Sequence, residues 1–330
     1  MGRATILTGL GAAVPESVLT NEMLAARMDT SDEWIVSRTG IRERRVVTPD
    51  IATGDLAVQA GAHALKSAEV DAVDAVVLAT TTPDHRCPAT APSVAARLGL
   101  GRVAAYDVGA VCSGFLYGLA SGSGLVSAGI ADRVLVIGAE AFTTIIDPGD
   151  RTTAPIFGDG AGAVVLEAGD EARRGALVAF DLGSDGDLAD LIMIPAGGSR
   201  RRVARAPGDE FMKMQGRPVF MNAVTRMVES SRNVLEKTGW PPESVDLLVG
   251  HQANVRILYA VADQLGLPHE KAFVNLDRYG NTAAASIPLA LADAAQRGRL
   301  CAGDRVLLTA FGGGATWGAV ALEWPRLTSY

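Results

Sequence analysis

Cysteine is scarce in this chain. Cys87, Cys112 and Cys301 are the only three in 330 residues, far apart and odd in number. That excludes a disulfide framework and any Cys/His metal spacing, so no metal site is expected and a reducing, cytoplasmic location is. Aromatics make up only 5% of the residues, which leaves the core to small and aliphatic side chains. Basic charge is in deficit, with 30 Lys and Arg against 37 Asp and Glu and a net charge of −7. General nucleic-acid binding needs a basic footprint and is therefore not expected, although local basic patches remain open. No apolar run reaches the roughly 18–20 residues of a membrane span. The start, Met1-Gly-Arg-Ala-Thr-Ile-Leu7, is too short in apolar length for a secretory leader.

What is present is a large apolar fraction, 48%, with 37 glycines and a weak internal repeat. Asp74 and Asp132 each open an apolar run, as do Asp246 and Asp304, and both pairs stand 58 residues apart (132 − 74 and 304 − 246). A third pair, Phe157-Gly-Asp-Gly-Ala-Gly162 and Phe311-Gly-Gly-Gly-Ala315, follows in looser register. Two similar halves are expected, residues 1–170 and 171–330. The first reads as helix at about 55–68, strand at 74–80, helix at 112–129 and strands at 133–138 and 161–167. The second reads as helix at about 218–238, strand at 245–249, helix at 282–297 and strands at 305–310 and 317–323. Strands such as Val134-Leu-Val-Ile137 lack alternation, which predicts burial on both faces and a layered α/β protein. Gly114, Gly118 and Gly122 share one face of the helix after Cys112 and predict close packing against another backbone. The repeat also predicts that Cys112 and the Asn281 segment begin equivalent helices that meet near a pseudo-twofold axis.

Cys112 stands where a β-rich run ends and a small-residue helix begins, in Tyr106-Asp-Val-Gly-Ala-Val-Cys112-Ser-Gly-Phe115. Unpaired N–H groups and the helix dipole at such a position favour the nucleophilic thiolate. A free cysteine is also a common small core residue. Of the four histidines, His63 and His269 read as surface residues and His85 as a weak candidate. His251 directly follows the apolar strand Leu247-Leu-Val-Gly250, at the kind of strand end where α/β proteins build sites. Asn281, in Gly280-Asn-Thr282, fits a helix cap and can also donate from its amide. Cys, His and Asn together fit either a papain-like hydrolase or an acyl-transferring condensing enzyme, and papain-type signatures around the cysteine are absent.

These residues carry a resemblance to the β-ketoacyl-acyl-carrier-protein synthase III family, condensing enzymes of the thiolase fold, running from Ile6 to Trp324. The matching motifs are Asp29-Thr-Ser-Asp-Glu-Trp-Ile-Val-Ser-Arg-Thr-Gly-Ile-Arg-Glu-Arg44, Phe157-Gly-Asp-Gly-Ala-Gly162, His251-Gln-Ala-Asn254, Gly280-Asn-Thr-Ala-Ala-Ala-Ser-Ile-Pro288 and Phe311-Gly-Gly-Gly-Ala-Thr-Trp-Gly318. The resemblance implies a thiolase-like α/β fold of two duplicated halves in five layers, αβαβα. It implies that Cys112 is acylated by an acyl-CoA and that malonyl-acyl carrier protein is then decarboxylated and condensed onto the acyl group. It implies enolate binding by His251 and Asn281, and an oxyanion hole from the backbone N–H groups of Cys112 and Gly313. By position, Trp34, Arg38, Arg151 and Asn254 are implied to bind CoA and Arg256 to dock the carrier protein. No cofactor is implied, since the CoA thioester is a substrate, and a homodimer is.

Two departures from the family pattern bear on the primer. Cys87 stands where many members carry a bulky residue that closes the partner's acyl pocket, which predicts a roomier pocket. Phe142, Met212 and Met214 are the bulky residues that would compensate, and Val111 replaces a smaller residue before the nucleophile. The basic loop Ser199-Arg-Arg-Arg-Val-Ala-Arg205 is either solvated or a carrier-protein contact. Related acyl-CoA-dependent transferases and priming ketosynthases of polyketide metabolism use the same residues on other acceptors and form the alternative reading. Degradative thiolase fits less well, because Cys301 precedes a strand instead of lying by the Phe311 glycine run.

Overall fold

A computed structural model describes residues 3–170 and 175–327. The expected boundary at 170/171 abuts residues 171–174, which lie outside the described residues. The first sheet holds β1 (Ala4–Ala13), β2 (Ala75–Ala79), β3 (Ala104–Val108), β4 (Arg133–Glu140) and β5 (Gly160–Gly169), in the order β1-β5-β4-β2-β3. The second holds β6 (Leu177–Ser184), β7 (Leu247–Gly250), β8 (Arg305–Gly312) and β9 (Thr316–Glu323), in the order β7-β8-β9-β6. The two orders superpose strand for strand. In each sheet a parallel pair (β2 with β4, β7 with β8) continues into antiparallel pairs (β4-β5-β1, β8-β9-β6). The edge strand β3 has only a rudiment opposite it, the parallel bridge from Leu248 to Ala272.

The repeated aspartates explain part of this register. Asp74 accepts from the backbone N–H of Asp132 and Arg133 at 2.8 Å each, and Asp246 accepts from Arg305 N–H at 2.8 Å. Each carboxylate thus ties the starts of two parallel neighbours, where the sequence changes from loop to apolar strand.

The helices include α1 (Asp32–Thr39), α2 (Thr53–Ser67), α3 (Ala91–Arg97), α4 (Gly114–Ser127), α5 (Gly216–Thr238), α6 (Val255–Leu265) and α7 (Ser286–Gln296). α2 and α3 cover the outer face of the first sheet, α5 and α6 that of the second, and α4 and α7 lie between the sheets. The result is the five-layer αβαβα arrangement. Strand burial follows from it. Val134 and Val136 enter the central core with Phe115 and Ile287, while Leu135 and Ile137 enter the outer core with Leu56 and Ala60. Both faces are apolar because both are covered, so no alternation is visible in the sequence. No helix among the described residues is long and apolar enough to cross a membrane.

Two expectations need correction. The glycine face of α4 packs on sheet side chains instead of another backbone: a Cβ at Gly118 would stand 3.0 Å from Val136 Cγ1, and one at Gly122 would stand 2.9 Å from Val136 Cγ2. The close backbone approach is at Gly138, where a Cβ would lie 2.4 Å from the Ala284 carbonyl oxygen. The two central helices also begin later than the sequence predicts, each after a short 3-10 turn, Val111–Ser113 and Ala283–Ala285. Val111 (φ 46°) and Ala283 (φ 44°) both occupy the left-handed region, and they stand 172 residues apart (283 − 111), the offset between Asp74 and Asp246. The duplication therefore repeats a strained turn at the same place in both halves.

Candidate active site

Cys112 sits in the first of these turns, 6% exposed. The turn's own hydrogen bonds run from Ser113 N–H to Ala110 O (3.1 Å) and from Gly114 N–H to Val111 O, so neither uses the Cys112 N–H. Ser113 Oγ bonds Ala110 O (2.8 Å) and Thr316 Oγ1 (2.7 Å), and Thr316 Oγ1 also donates toward Ala110 O (3.0 Å). This triangle fastens the turn to the glycine run after β8. A Cβ at Gly312 would stand 2.8 Å from Cys112 N, so only glycine lets Gly312–Gly313 back the nucleophile this closely.

The enclosure of Cys112 opposes the thiolate that a helix start favours. Burial raises its pKa, and the charge of Glu140 raises it further against a smaller opposing effect of the local backbone N–H. Desolvation outweighs the dipole because the residue is enclosed and its turn is not an open α-helical first turn.

Glu140 was not legible as a site residue. It ends the apolar strand β4 and is fully buried. It accepts from Thr82 Oγ1 (2.8 Å), Thr81 N–H (3.1 Å) and the backbone of Ala284. Burial dominates over these bonds and pushes its carboxyl up to about 7. By the 172-residue offset (140 + 172) its counterpart is Gly312, which the fold sets beside Cys112.

His251 follows β7, is 3% exposed, and is held by its N–H to Thr309 O at 2.8 Å. Its Nδ1 lies 2.6 Å from Ser286 Oγ. Burial pushes its pKa down to about 3, so the ring is neutral at physiological pH. Asn281 is bridged in parallel to Phe157, its N–H donating to Ile156 O (2.9 Å) and its carbonyl accepting from Gly158 N–H (3.0 Å). Its side-chain Oδ1 accepts from Ala283 N–H (2.9 Å), which leaves the Nδ2 amide as the donor end. Cys112, His251 and Asn281 all line one cavity of about 40 Å³. Phe142, Phe157, Ile192 and Met214 wall it, and Met212 is buried in the same cluster.

Asn281, Met214 and Ala253 also line a second, larger cavity of about 510 Å³ that opens to the surface, so the two adjoin. Trp34, Arg38, Arg151, Asn254 and Arg256 all line it. Ser31 caps α1 by accepting from Trp34 N–H (3.1 Å), which sets the indole on the first turn. The guanidinium groups of Arg38 and Arg151 lie 4.7 and 5.1 Å from the Trp34 ring centroid, and Arg151 also reaches Asp29 at 3.2 Å. Asn254 caps α6, accepting from Arg256 N–H (2.9 Å) and donating to Arg38 O (2.9 Å). Arg256 is exposed near Phe220, 5.7 Å from its ring centroid. Arg217, also exposed in this lining, was missed by the sequence reading because α5 shows no motif there.

Other candidates lie elsewhere. Cys87 is exposed and lines neither cavity of its own chain. His63 and His85 are exposed, and His269 pairs with Asp263 at 2.8 Å and stacks on Tyr259. The basic loop folds onto Asp209, which binds Arg201 at 3.2 Å and Arg205 N–H at 3.0 Å.

Two duplicated halves in five layers, with a buried Cys-His-Asn set where their strained turns meet, define a condensing enzyme of the thiolase fold. Residues 106–186 match the family profile for 3-oxoacyl-[acyl-carrier-protein] synthase III, and residues 235–324 match the C-terminal profile of the same family. A β-ketoacyl-[acyl-carrier-protein] synthase III of Streptomyces coelicolor is 60% identical, covering 100% of both chains. The solved structure of 3-oxoacyl-(acyl carrier protein) synthase III from Pseudomonas aeruginosa is 54% identical, covering 99% of this chain and 100% of that one at a TM-score of 0.94. A priming β-ketosynthase from the R1128 polyketide pathway is 32% identical, covering 98% of this chain and 97% of that one at a TM-score of 0.92. The chain belongs to the β-ketoacyl-acyl-carrier-protein synthase III family, and it is a carbon–carbon bond-forming acyltransferase.

Proposed function

We propose that Cys112 takes an acyl group from acyl-CoA and passes it to the carbanion released by decarboxylation of malonyl-acyl carrier protein. The observation that carries this reading is the convergence of Cys112, His251 and Asn281 in a small cavity that adjoins a larger, arginine-lined one. In the first step a bond forms between Cys112 Sγ and the acyl carbon, the CoA carbon–sulfur bond breaks, and CoA leaves as a thiol with the cysteine's proton. In the second step carbon dioxide leaves the malonyl group and the enolate oxygen is held by His251 Nε2–H and Asn281 Nδ2–H. A neutral histidine suits this role, because it donates a hydrogen bond without protonating the enolate. The enolate carbon attacks the acyl carbonyl. The oxyanion so formed is held by the N–H groups of Cys112 and Gly313; its collapse breaks the bond to Cys112 Sγ and releases 3-oxoacyl-carrier protein, and the thiolate left behind takes a proton from solvent to restore the thiol.

Trp34 stacks the adenine of CoA, with Arg38 and Arg151 at its phosphates. Asn254 contacts the pantetheine with the N–H it does not give to Arg38. Arg256 docks the acidic carrier protein, where the planar guanidinium fork suits carboxylate and phosphate. Among the described residues edge strand β3 is paired on one side only and is partly exposed, which supports a homodimer; the setting proposed for it is the cytoplasm. In that dimer Cys87 reaches the partner's acyl pocket. Fatty-acid synthesis is the main setting. The likeness to a priming β-ketosynthase supports polyketide priming as the second reading, with a related acyl-CoA-dependent transfer to another acceptor in the same class. Intact-mass spectrometry with a panel of acyl-CoAs tests the acylation step, with Cys112→Ala as control, and product analysis with malonyl-carrier protein separates the acceptors.

A further inference from the structure

We propose that Ser286 is a positioning residue that fixes the tautomer of His251, so that a ring N–H and not a lone pair faces the acyl cavity. The proposal rests on the enolate-binding role given to His251 above.

A neutral imidazole carries one proton on one of two nitrogens, and the hydrogen bond made by the other nitrogen decides which. His251 Nδ1 meets Ser286 Oγ at 2.6 Å, and both residues are buried, at 3% and 1% exposure. The same oxygen receives the backbone N–H of Gln252 at 3.4 Å. Gln252 N–H can only donate, so among the described hydrogen bonds Nδ1 is the one acceptor that the Ser286 hydroxyl hydrogen meets. Nδ1 is then the acceptor, and the ring proton belongs on Nε2.

Two observations separate this role from ordinary helix capping. Ser286 is the first residue of α7, yet the helix takes no side-chain cap: its N-cap position is Ala285, which makes none. The duplication supplies an internal control. Subtracting the 172-residue offset from Ser286 and His251 gives Gly114 and Ala79. A Cβ at Gly114 would stand 3.2 Å from Ala79 Cβ, so the same helix-start-to-strand-end contact exists in the first half. There it is made without a hydroxyl and without an imidazole. The contact belongs to the fold; the polar pair occurs only in the half that carries the histidine.

The test is the 15N spectrum of the His251 ring in full-length protein labelled at histidine, together with the two half-reactions of Ser286→Ala. In the unmodified enzyme the spectrum should show a protonated Nε2 and an unprotonated Nδ1. In Ser286→Ala that pattern should reverse or mix. Condensation should fall on the order of 10²-fold, the loss typical of one oxyanion donor, while acylation of Cys112 stays within about 2-fold. Ser286→Thr keeps the hydroxyl and should restore the wild-type ring pattern. Ser286→Ala should add nothing further in a His251→Ala background. A proton on Nδ1 in the unmodified enzyme overturns the proposal without any variant having to fold. So does unchanged condensation in Ser286→Ala. Intact condensation in His251→Ala instead overturns the enolate role itself, and with it the function proposed for Ser286.

Discussion

With the acyl group on Cys112, the cavity beside it predicts the length of primer. Its volume is about 40 Å³. A cavity of ~150 Å³ holds benzene, so each buried carbon needs ~25 Å³, and room for one or two carbons remains beyond the sulfur. An acetyl group fits. Butyryl adds two methylenes that meet Phe142, Ile192 and Met214. A single misfitting methylene in an apolar pocket costs ~1–3 kcal/mol, or roughly 10–200-fold. The kcat/KM for acylation should therefore fall at least ~10-fold from acetyl-CoA to butyryl-CoA. Met214→Ala removes three heavy atoms from a half-buried side chain and opens about 75 Å³ by the same scale. It should bring butyryl-CoA to within a few-fold of acetyl-CoA. The assay is the time course of the acyl-enzyme mass with each CoA ester. Equal acylation by acetyl and butyryl groups in the unmodified enzyme would refute the reasoning and favour the roomier pocket that Cys87 predicts.

Two further predictions concern charge. Glu140 is raised from 4.5 to about 7 in the folded protein, so the folded state binds more protons than the unfolded one between those values, and stability falls as pH rises through that window. Glu140→Gln removes this loss. The Tm of the variant relative to wild type should climb from pH 4.5 to pH 7.5. His251 works in the opposite sense, its depressed value adding stability as pH rises from about 3 to 6.5, but it is common to both proteins and cancels. A Tm difference independent of pH would contradict the account. Arg256→Glu should raise the KM for malonyl-carrier protein and flatten its salt dependence, and an unaltered KM would remove Arg256 from docking.

Much of this architecture was legible because the repeat is written in residues with local consequences. The aspartates at strand starts and the apolar runs behind them gave the paired strands, and the glycine turns gave their ends. Cys112, His251 and Asn281 stood out because reactive or polar side chains interrupt small-residue and apolar segments at strand or helix boundaries. Glu140 also ends an apolar strand, yet its partners Thr81, Thr82 and Ala284 lie on separate segments. Ser286 sits inside a matched motif, but its partner is 35 residues upstream, and only folding brings the hydroxyl to the ring. The burial that opposes a Cys112 thiolate is not legible in the sequence, because the dipole of a helix start is a local property whereas desolvation depends on the whole enclosure. The left-handed turns at Val111 and Ala283 were hidden for a related reason. Neither residue type favours that conformation, and tertiary contacts such as the Ser113–Thr316–Ala110 triangle hold the first of them in place.

The division of labour between Cys112 and Asn281 is tested most directly by measuring both half-reactions in Asn281→Ala, with Cys112→Ala as the unacylated control. The acyl-enzyme mass should appear at close to the wild-type rate, while condensation with malonyl-carrier protein should fall ~10²–10³-fold, the loss expected for one enolate donor. Equal loss of acylation and condensation would contradict the assignment of Asn281 to the second step.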